Sequence, residues 1–450
     1  MKMILRLAIF LGLPVSGLAD PILTSWFTVH SDEVARIYRS DAYRRAGDAV
    51  TTWSNGRQTQ AQPARTGIQQ ILVSTNWIYI RTTGLPSQIM GPWYMDASHY
   101  QFFPNLPTDQ NILLCLPRHP VPETQREWQK LGDIGMTVDG VPIFDPTDSF
   151  SYSHAAGRDA DPIAGLGRGD GIWDRDALVN EGMTFDPGLG HQQNWGRYHY
   201  HTQAIALRYE LGDHVDFDAT TKLYHESASE PTRHSPIIAW LDDGYPVYGP
   251  YGYANPTNAA SGLRRMISGY VPRDGHNGSD NLAQTGRNSL PAWEARESQR
   301  SATLTAEETG PAVSTRYPLG HFLQDYAYRG DLGQTQGREF DLDENNGRWC
   351  VTPEFPNGTY AYFTTIDANG KPIYPYLMGK HYHGRPLGRV IRNIRERVEP
   401  YFTSAAAAKG KTSSVAPPGT QEQSATAGQP ASAGSPTITL QWHPENGGGY

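Results

Sequence analysis

Only two cysteines, Cys115 and Cys350, occur in 450 residues. They lie far apart, without the CxxC spacing of a paired thiolate site. Charged residues make up 19% of the chain, and 46 acidic residues outnumber 38 basic ones. With no basic excess to neutralise phosphates, a general nucleic-acid binder is excluded. No apolar run approaches the ~20 residues of a membrane-spanning helix, so the chain is expected not to be membrane-embedded. Sustained helical periodicity is missing, which excludes a helical bundle and a coiled coil. There is no Gly-x-Ser-x-Gly elbow, phosphate loop, His-Glu-x-x-His helix or dinucleotide fingerprint. Serine-triad hydrolysis and nucleotide chemistry therefore have no motif to rest on.

Aromatic and turn residues are plentiful: 25 Tyr, 13 Phe, 11 Trp, 46 Gly and 34 Pro. Such a chain builds its core from rings and folds back often. Short β-rich runs at 70–73, 77–81, 134–138, 204–209, 237–241 and 360–365 are separated by turn residues. Examples are Asn55-Gly56, Asp139-Gly140 and Asn357-Gly358. Short helices are predicted at 175–181 and 262–268. The fold expected is mainly β, with antiparallel sheets in a sandwich-like arrangement, long loops and few short helices.

Residues 1–19 read as a secretory signal: Lys2 and Arg6, an apolar run from Leu7 to Val15, then Gly17 and Ala19 before a cut at Asp20. The protein is expected to be secreted or periplasmic. In an oxidising compartment Cys115 and Cys350 are expected to pair; a thiolate metal ligand or a nucleophile is the alternative. The β domain is predicted to span 20–402. An Ala/Ser/Gly/Pro/Gln-rich stretch at 403–435 reads as a flexible linker. Residues 436–450 contain one strand-like segment, a candidate start of another module.

The sequence also repeats weakly. Val138-Asp139-Gly140-Val141-Pro142-Ile143-Phe144-Asp145-Pro146 resembles Asp242-Asp243-Gly244-Tyr245-Pro246-Val247-Tyr248-Gly249-Pro250. Each copy is followed by a Gly-x-Tyr-x-Tyr strand, first Gly196 to Tyr200 and later Gly358 to Tyr362. The order suggests two pseudo-repeated halves of one domain with differing insertions.

Tyrosines recur in both copies, whereas His199 and His201 face Ala361 and Phe363 as their counterparts. Alternation on a strand puts the two imidazoles on one face. The tyrosine face is then structural, and the histidine face is free for chemistry. Two imidazoles at i and i+2 can share one copper or zinc ion. A second pair, His381 and His383, or the nearby His191 would complete the ligand set. The alternative is an aromatic ladder whose imidazoles bond carbonyls. Asp145, Asp148, Asp174, Asp176 and Asp186 precede His191; such carboxylates can orient metal ligands, but most of them read as ordinary loop caps. Asp341, Asp343 and Asn345 place oxygens at alternate positions, so Ca2+ is a candidate there. The loop fails the EF-hand pattern, however, and also reads as an Asx-rich turn.

Gly196 to His201 resembles the motif of the YHYH-domain proteins. Similar segments follow that family in order over roughly 130–385: Asp139 to Pro146, Trp173 to Ala177, Ser235 to Ile238, Asp243 to Gly249, Leu342 to Arg348 and Thr352 to Tyr360. The resemblance implies an exported protein and carries no reaction with it. Gly358 to Tyr362 is loosely similar to multicopper-oxidase strands. With no His-Cys-His here, oxidase activity is not implied. The functional expectation is transition-metal binding through His-x-His pairs. The alternative is a non-catalytic extracellular module recognising a glycan or protein partner through exposed rings.

Overall fold

A computed structural model describes residues 20–123, 132–161 and 165–412. The segment expected to be a signal at 1–19, the tail at 436–450 and most of the 403–435 stretch lie outside these. The strands that position the site are β1 (Ile68–Val73), β2 (Trp77–Thr82), β3 (Ile112–Pro117), β4 (Asp133–Thr137), β5 (Pro142–Phe144), β6 (Gly190–Gln192), β7 (Tyr198–Tyr200), β8 (Ile237–Leu241), β9 (Pro246–Tyr248), β10 (Gly347–Cys350), β11 (Thr359–Phe363), β12 (Arg389–Val390) and β13 (Glu399–Thr403). The fold is mainly β with few short helices, as the sequence predicts. An eight-stranded sheet runs β6-β7-β5-β4-β8-β9-β11-β10, and a five-stranded sheet runs β12-β3-β2-β1-β13. One apolar core draws on both, with Ile71, Ile80 and Leu114 from the smaller sheet and Met136, Trp240 and Phe363 from the larger.

The sequence repeat is a pseudo-twofold in the larger sheet. Its four-strand halves, β6-β7-β5-β4 and β10-β11-β9-β8, meet where β4 and β8 pair antiparallel. The equivalent residues Met136 and Trp240 face each other at that junction. Tyr200 lies beside Ile143 in one parallel pair, and Tyr362 beside Val247 in the other. The outer hairpins also match: Gly190 opposes Tyr200, and Gly347 opposes Tyr362.

The tyrosine face is structural in both halves. The Tyr198 hydroxyl donates to both oxygens of Asp186 (3.1 and 3.0 Å), and the Tyr360 hydroxyl to both oxygens of Asp343 (2.8 and 3.1 Å). A Cβ at Gly190 would lie 2.3 Å from the Tyr198 ring, and one at Gly347 2.4 Å from that of Tyr360. Only glycine lets these rings lie so close to the neighbouring strand.

Several expectations are corrected. Residues 204–209 alternate like a strand but form a helix, Ile205–Glu210. That helix buries Arg208 against Asp213 (2.6 Å) and Glu226, partners that lie beyond the segment itself. Residues 262–268 fall largely in a strand, Asn258–Arg265, paired with Tyr251–Asn255. The predicted linker begins too early: Thr403 ends β13, and Ala405–Thr412 is a helix. Its first N–H groups are taken by Asp32, with Ala405 at 3.2 Å and Ala406 at 3.0 Å, while the buried Ser404 hydroxyl donates to Gln69 at 2.9 Å.

The expected disulfide is absent. Cys115 sits in β3 of the smaller sheet and Cys350 in β10 at the edge of the larger; both are buried free thiols. They pack in different apolar clusters, Cys350 in the main core and Cys115 with Tyr79 and Leu113 on the other face of the smaller sheet. Burial raises both thiols, Cys115 to about 11, so neither presents a thiolate for metal or nucleophilic chemistry.

Candidate metal centre

The hairpin β6–β7 assembles three histidines by register alone. His191 is the cross-strand partner of His199, and His201 follows two residues later. Gly196, with φ of +77°, turns the chain between the two strands. The ligand atoms of His191, His199 and His201 all lie within 4.8 Å of one another. The Nε2 atoms of His191 and His199 are 3.1 Å apart, as are those of His199 and His201. A tetrahedral ion at the usual ~2.0–2.1 Å zinc–imidazole distance would set its nitrogens roughly 3.3–3.4 Å apart.

Hydrogen bonds on the far side of each ring fix the tautomers. His199 Nδ1 faces the Arg197 carbonyl at 3.0 Å, and His201 Nδ1 faces the Asp145 carbonyl at 2.6 Å. A carbonyl can only accept, so both Nδ1 atoms carry the proton. His191 Nδ1 is 2.7 Å from the Thr184 hydroxyl, which itself donates to the Glu181 carbonyl at 2.7 Å. That hydroxyl's hydrogen is committed, so it accepts from His191. All three Nε2 lone pairs therefore converge on one point. Orientation of ligand imidazoles by carbonyl and hydroxyl acceptors is what metal sites use to raise ligand basicity.

The rings are buried, with 3–4% exposure, and walled by aromatics. Phe144 stacks on His199 at 3.9 Å, and Phe185 lies against His191 and His201 at 4.7 and 5.9 Å. Burial holds His191 and His199 well below the ordinary imidazole value and His201 at about 4. Neighbouring imidazoles push His191 and His199 further down. The neutral form, which binds metal, is the one favoured at neutral pH.

Glu181 is the residue that sequence reading missed. Its Oε2 lies 3.6 Å from His191 Nε2 and 3.5 Å from His201 Nε2. It closes the short helix Ala177–Glu181, which Asp176 caps by accepting from the Val179 N–H at 3.0 Å. Burial and then Asp148 push its carboxyl well up, while Arg175, at 2.8 Å from Asp148, opposes this. Nothing local to the sequence links Glu181 to His191.

The other candidate ligands are held elsewhere. His381 pairs with Glu297, and His383 stacks on Tyr360 at 3.5 Å between centroids. Neither belongs to the imidazole cluster. Asp341 receives Arg264 on both oxygens, each at 2.5 Å, and the Ile267 N–H at 2.8 Å. Asp343 holds Tyr360 and the Asn345 and Gly347 N–H groups. Protein donors thus occupy the carboxylates proposed for Ca2+. The Asp341–Asn345 loop is the second-half counterpart of the loop at Asp186, a structural cap on the tyrosine face.

A profile of the YHYH protein family matches residues 114–374. The chain belongs to the YHYH protein family. The match covers both halves of the pseudo-twofold sheet, and the motif for which the family is named lies on β7. No curated protein and no solved structure matches the chain.

The second half serves as an internal control on the family motif. Arg348, Ala361 and Phe363 stand where His191, His199 and His201 stand in the first. There the guanidinium lies 5.4 Å from the Phe363 ring centre and donates to the Tyr253 carbonyl at 2.6 Å. The same backbone frame forms with no imidazole at these three positions, so the three histidines are not needed to build it.

The buried triad sets a pH dependence. An unfolded imidazole titrates near 6.5, and His201 in the fold at about 4. Between these values the unfolded chain takes up a proton that the folded chain refuses. The triad's contribution to stability is thus full above pH 6.5 and lost as pH falls towards 4. Relative to a His191→Gln/His199→Gln/His201→Gln chain, the metal-free protein is expected to lose on the order of 3 kcal/mol from His201 alone between pH 7 and pH 4. Urea unfolding of both chains across that range checks it; parallel pH courses would contradict a neutral buried triad.

Proposed function

We propose that this YHYH protein is an exported metal-binding protein that holds one copper or zinc ion on Nε2 of His191, His199 and His201. The convergence of three Nε2 lone pairs, each tautomer set by an acceptor behind the ring, carries this reading. Lone pairs at 3.1 Å repel unless a cation lies between them. The second half supports it, since that frame has no imidazole at the three equivalent positions. Three protein ligands leave a fourth position for water, with Glu181 beside it to ligate or to accept a proton. A metal there would act as a Lewis acid on bound water or, for copper, as a redox centre. Export rests on the leader-like start of the sequence.

Calorimetric titration of the metal-free, untagged chain with Zn2+ and Cu2+ tests the proposal. About one equivalent is expected to bind at pH 7.5, with affinity collapsing below pH 5 as the imidazoles protonate. No saturable site for either ion would remove the metal reading and leave the triad as a buried aromatic ladder.

A further inference from the structure

Where the two sheets meet, beside the histidine hairpin, lies a cavity of about 180 Å3. Leu114 and Val390 wall it from the smaller sheet, and Met136 and Pro142 from the larger. Asp133, Asp242, Arg197 and Arg389 bring charge to it. Arg197 pairs with Asp133 at 2.5 Å, so those two charges compensate. Arg389 is exposed, lies 5.6 Å from the Trp77 ring centre and donates to the Leu387 carbonyl at 2.9 Å.

Asp242 is the carboxyl group left without an ion pair. It is only 9% exposed, and no cation pairs with it among the described residues. Its Oδ1 has no hydrogen-bond partner among them, nor has Oδ1 of Asp133. A buried carboxylate without a partner is costly, and proteins rarely keep one without a use. Burial, then Asp133 and Asp243, push the Asp242 carboxyl up to about 8 while Arg197 opposes them, so near neutral pH an ammonium ion would bind with loss of the carboxyl proton.

We propose that this cavity binds a small primary ammonium ion with an apolar body, the ammonium on Asp242 and Asp133 and the hydrocarbon against Leu114, Met136 and Val390. An ammonium carries three donors, enough for both carboxyl groups that line the cavity. The apolar walls and the small number of carboxyl oxygens do not suit a calcium ion, which takes six to eight oxygen ligands. A cavity of ~150 Å3 admits benzene, so this one suits a ligand of about six to eight heavy atoms. The inference is independent of the metal proposal, since it uses none of the three histidines.

The probes are n-pentylamine, its neutral counterpart n-pentanol, and CaCl2, each titrated calorimetrically into the metal-free full chain. The amine is expected to bind about tenfold or more tightly than the alcohol, and calcium not at all. Asp242→Asn should abolish the preference and still melt cooperatively, because it removes no protein–protein hydrogen bond. Val390→Trp, on the exposed edge strand, should block the amine while keeping Asp242. The His199→Ala/His201→Ala chain should bind it like the wild type. Equal binding of amine and alcohol, survival of amine binding in Asp242→Asn, or a saturable calcium site lost in that variant would each overturn the proposal.

Discussion

Exposed to copper or zinc, the wild-type chain is expected to hold about one equivalent at the proposed site and the His199→Ala/His201→Ala chain only background, with unchanged secondary structure. The two substitutions remove two of the three converging Nε2 atoms and leave His191 alone with Glu181, too few groups to hold a buried ion. The frame should survive, because β11 carries Ala361 and Phe363 at the same register and still pairs with β9 and β10. His191→Ala should weaken binding by one ligand, an intermediate loss. Metal analysis of the purified chains together with far-ultraviolet circular dichroism checks both points. Full retention of metal in the double variant would place any ion elsewhere in the molecule.

The largest stability effect is expected at a buried ion pair remote from the histidines. Arg287 and Asp325 are both fully buried and bonded in a bidentate pair, each contact at 2.7 Å. The same guanidinium donates to the carbonyls of Pro311 (2.8 Å) and Pro318 (3.0 Å), and it lies 5.0 Å from the Phe322 ring centre. Asp325 also accepts the Gly320 N–H at 2.9 Å. One pair thus ties together a loop region with little regular structure. Arg287→Met leaves an uncompensated carboxylate in the core and should destabilise the protein by about 3–5 kcal/mol. The Arg287→Met/Asp325→Leu double variant should recover much of that loss, because it removes the stranded charge. Urea unfolding of the three chains measures both effects; equal stability of Arg287→Met and wild type would show that the pair contributes only geometry.

The two tests bear on different parts of the chain. The triad sits on a short hairpin and rests on hydrogen bonds to Arg197, Asp145 and Thr184. The ion pair sits among long loops whose order depends on buried charge. A chain with 46 glycines and 34 prolines cannot hold such loops by ladder hydrogen bonds alone. Arginines bonded to several carbonyls take over that task, as Arg273 also does with Ser289 and Gln324.

By itself the sequence determined the mainly β class, the two related halves and the split between a tyrosine face and a histidine face. These are legible because strand alternation has a period of two, and because turns such as Asp139-Gly140 and Asp243-Gly244 mark hairpins in both copies. The sequence also placed His191, His199 and His201 within ten residues of each other, and one hairpin register brings them together. What tertiary structure decided is everything that depends on segments distant in the chain. The pairing of His381 with Glu297 and of Asp341 with Arg264 takes each away from a metal. Cys115 and Cys350 pack in different apolar clusters and stay free thiols, against the expected disulfide. The helix at Ile205–Glu210 is held by an arginine whose partners lie beyond it. The approach of Glu181 to the imidazoles and the unpartnered Asp242 belong to the same class. Local periodicity reports which face a residue takes; only packing between non-adjacent segments reports what that face meets.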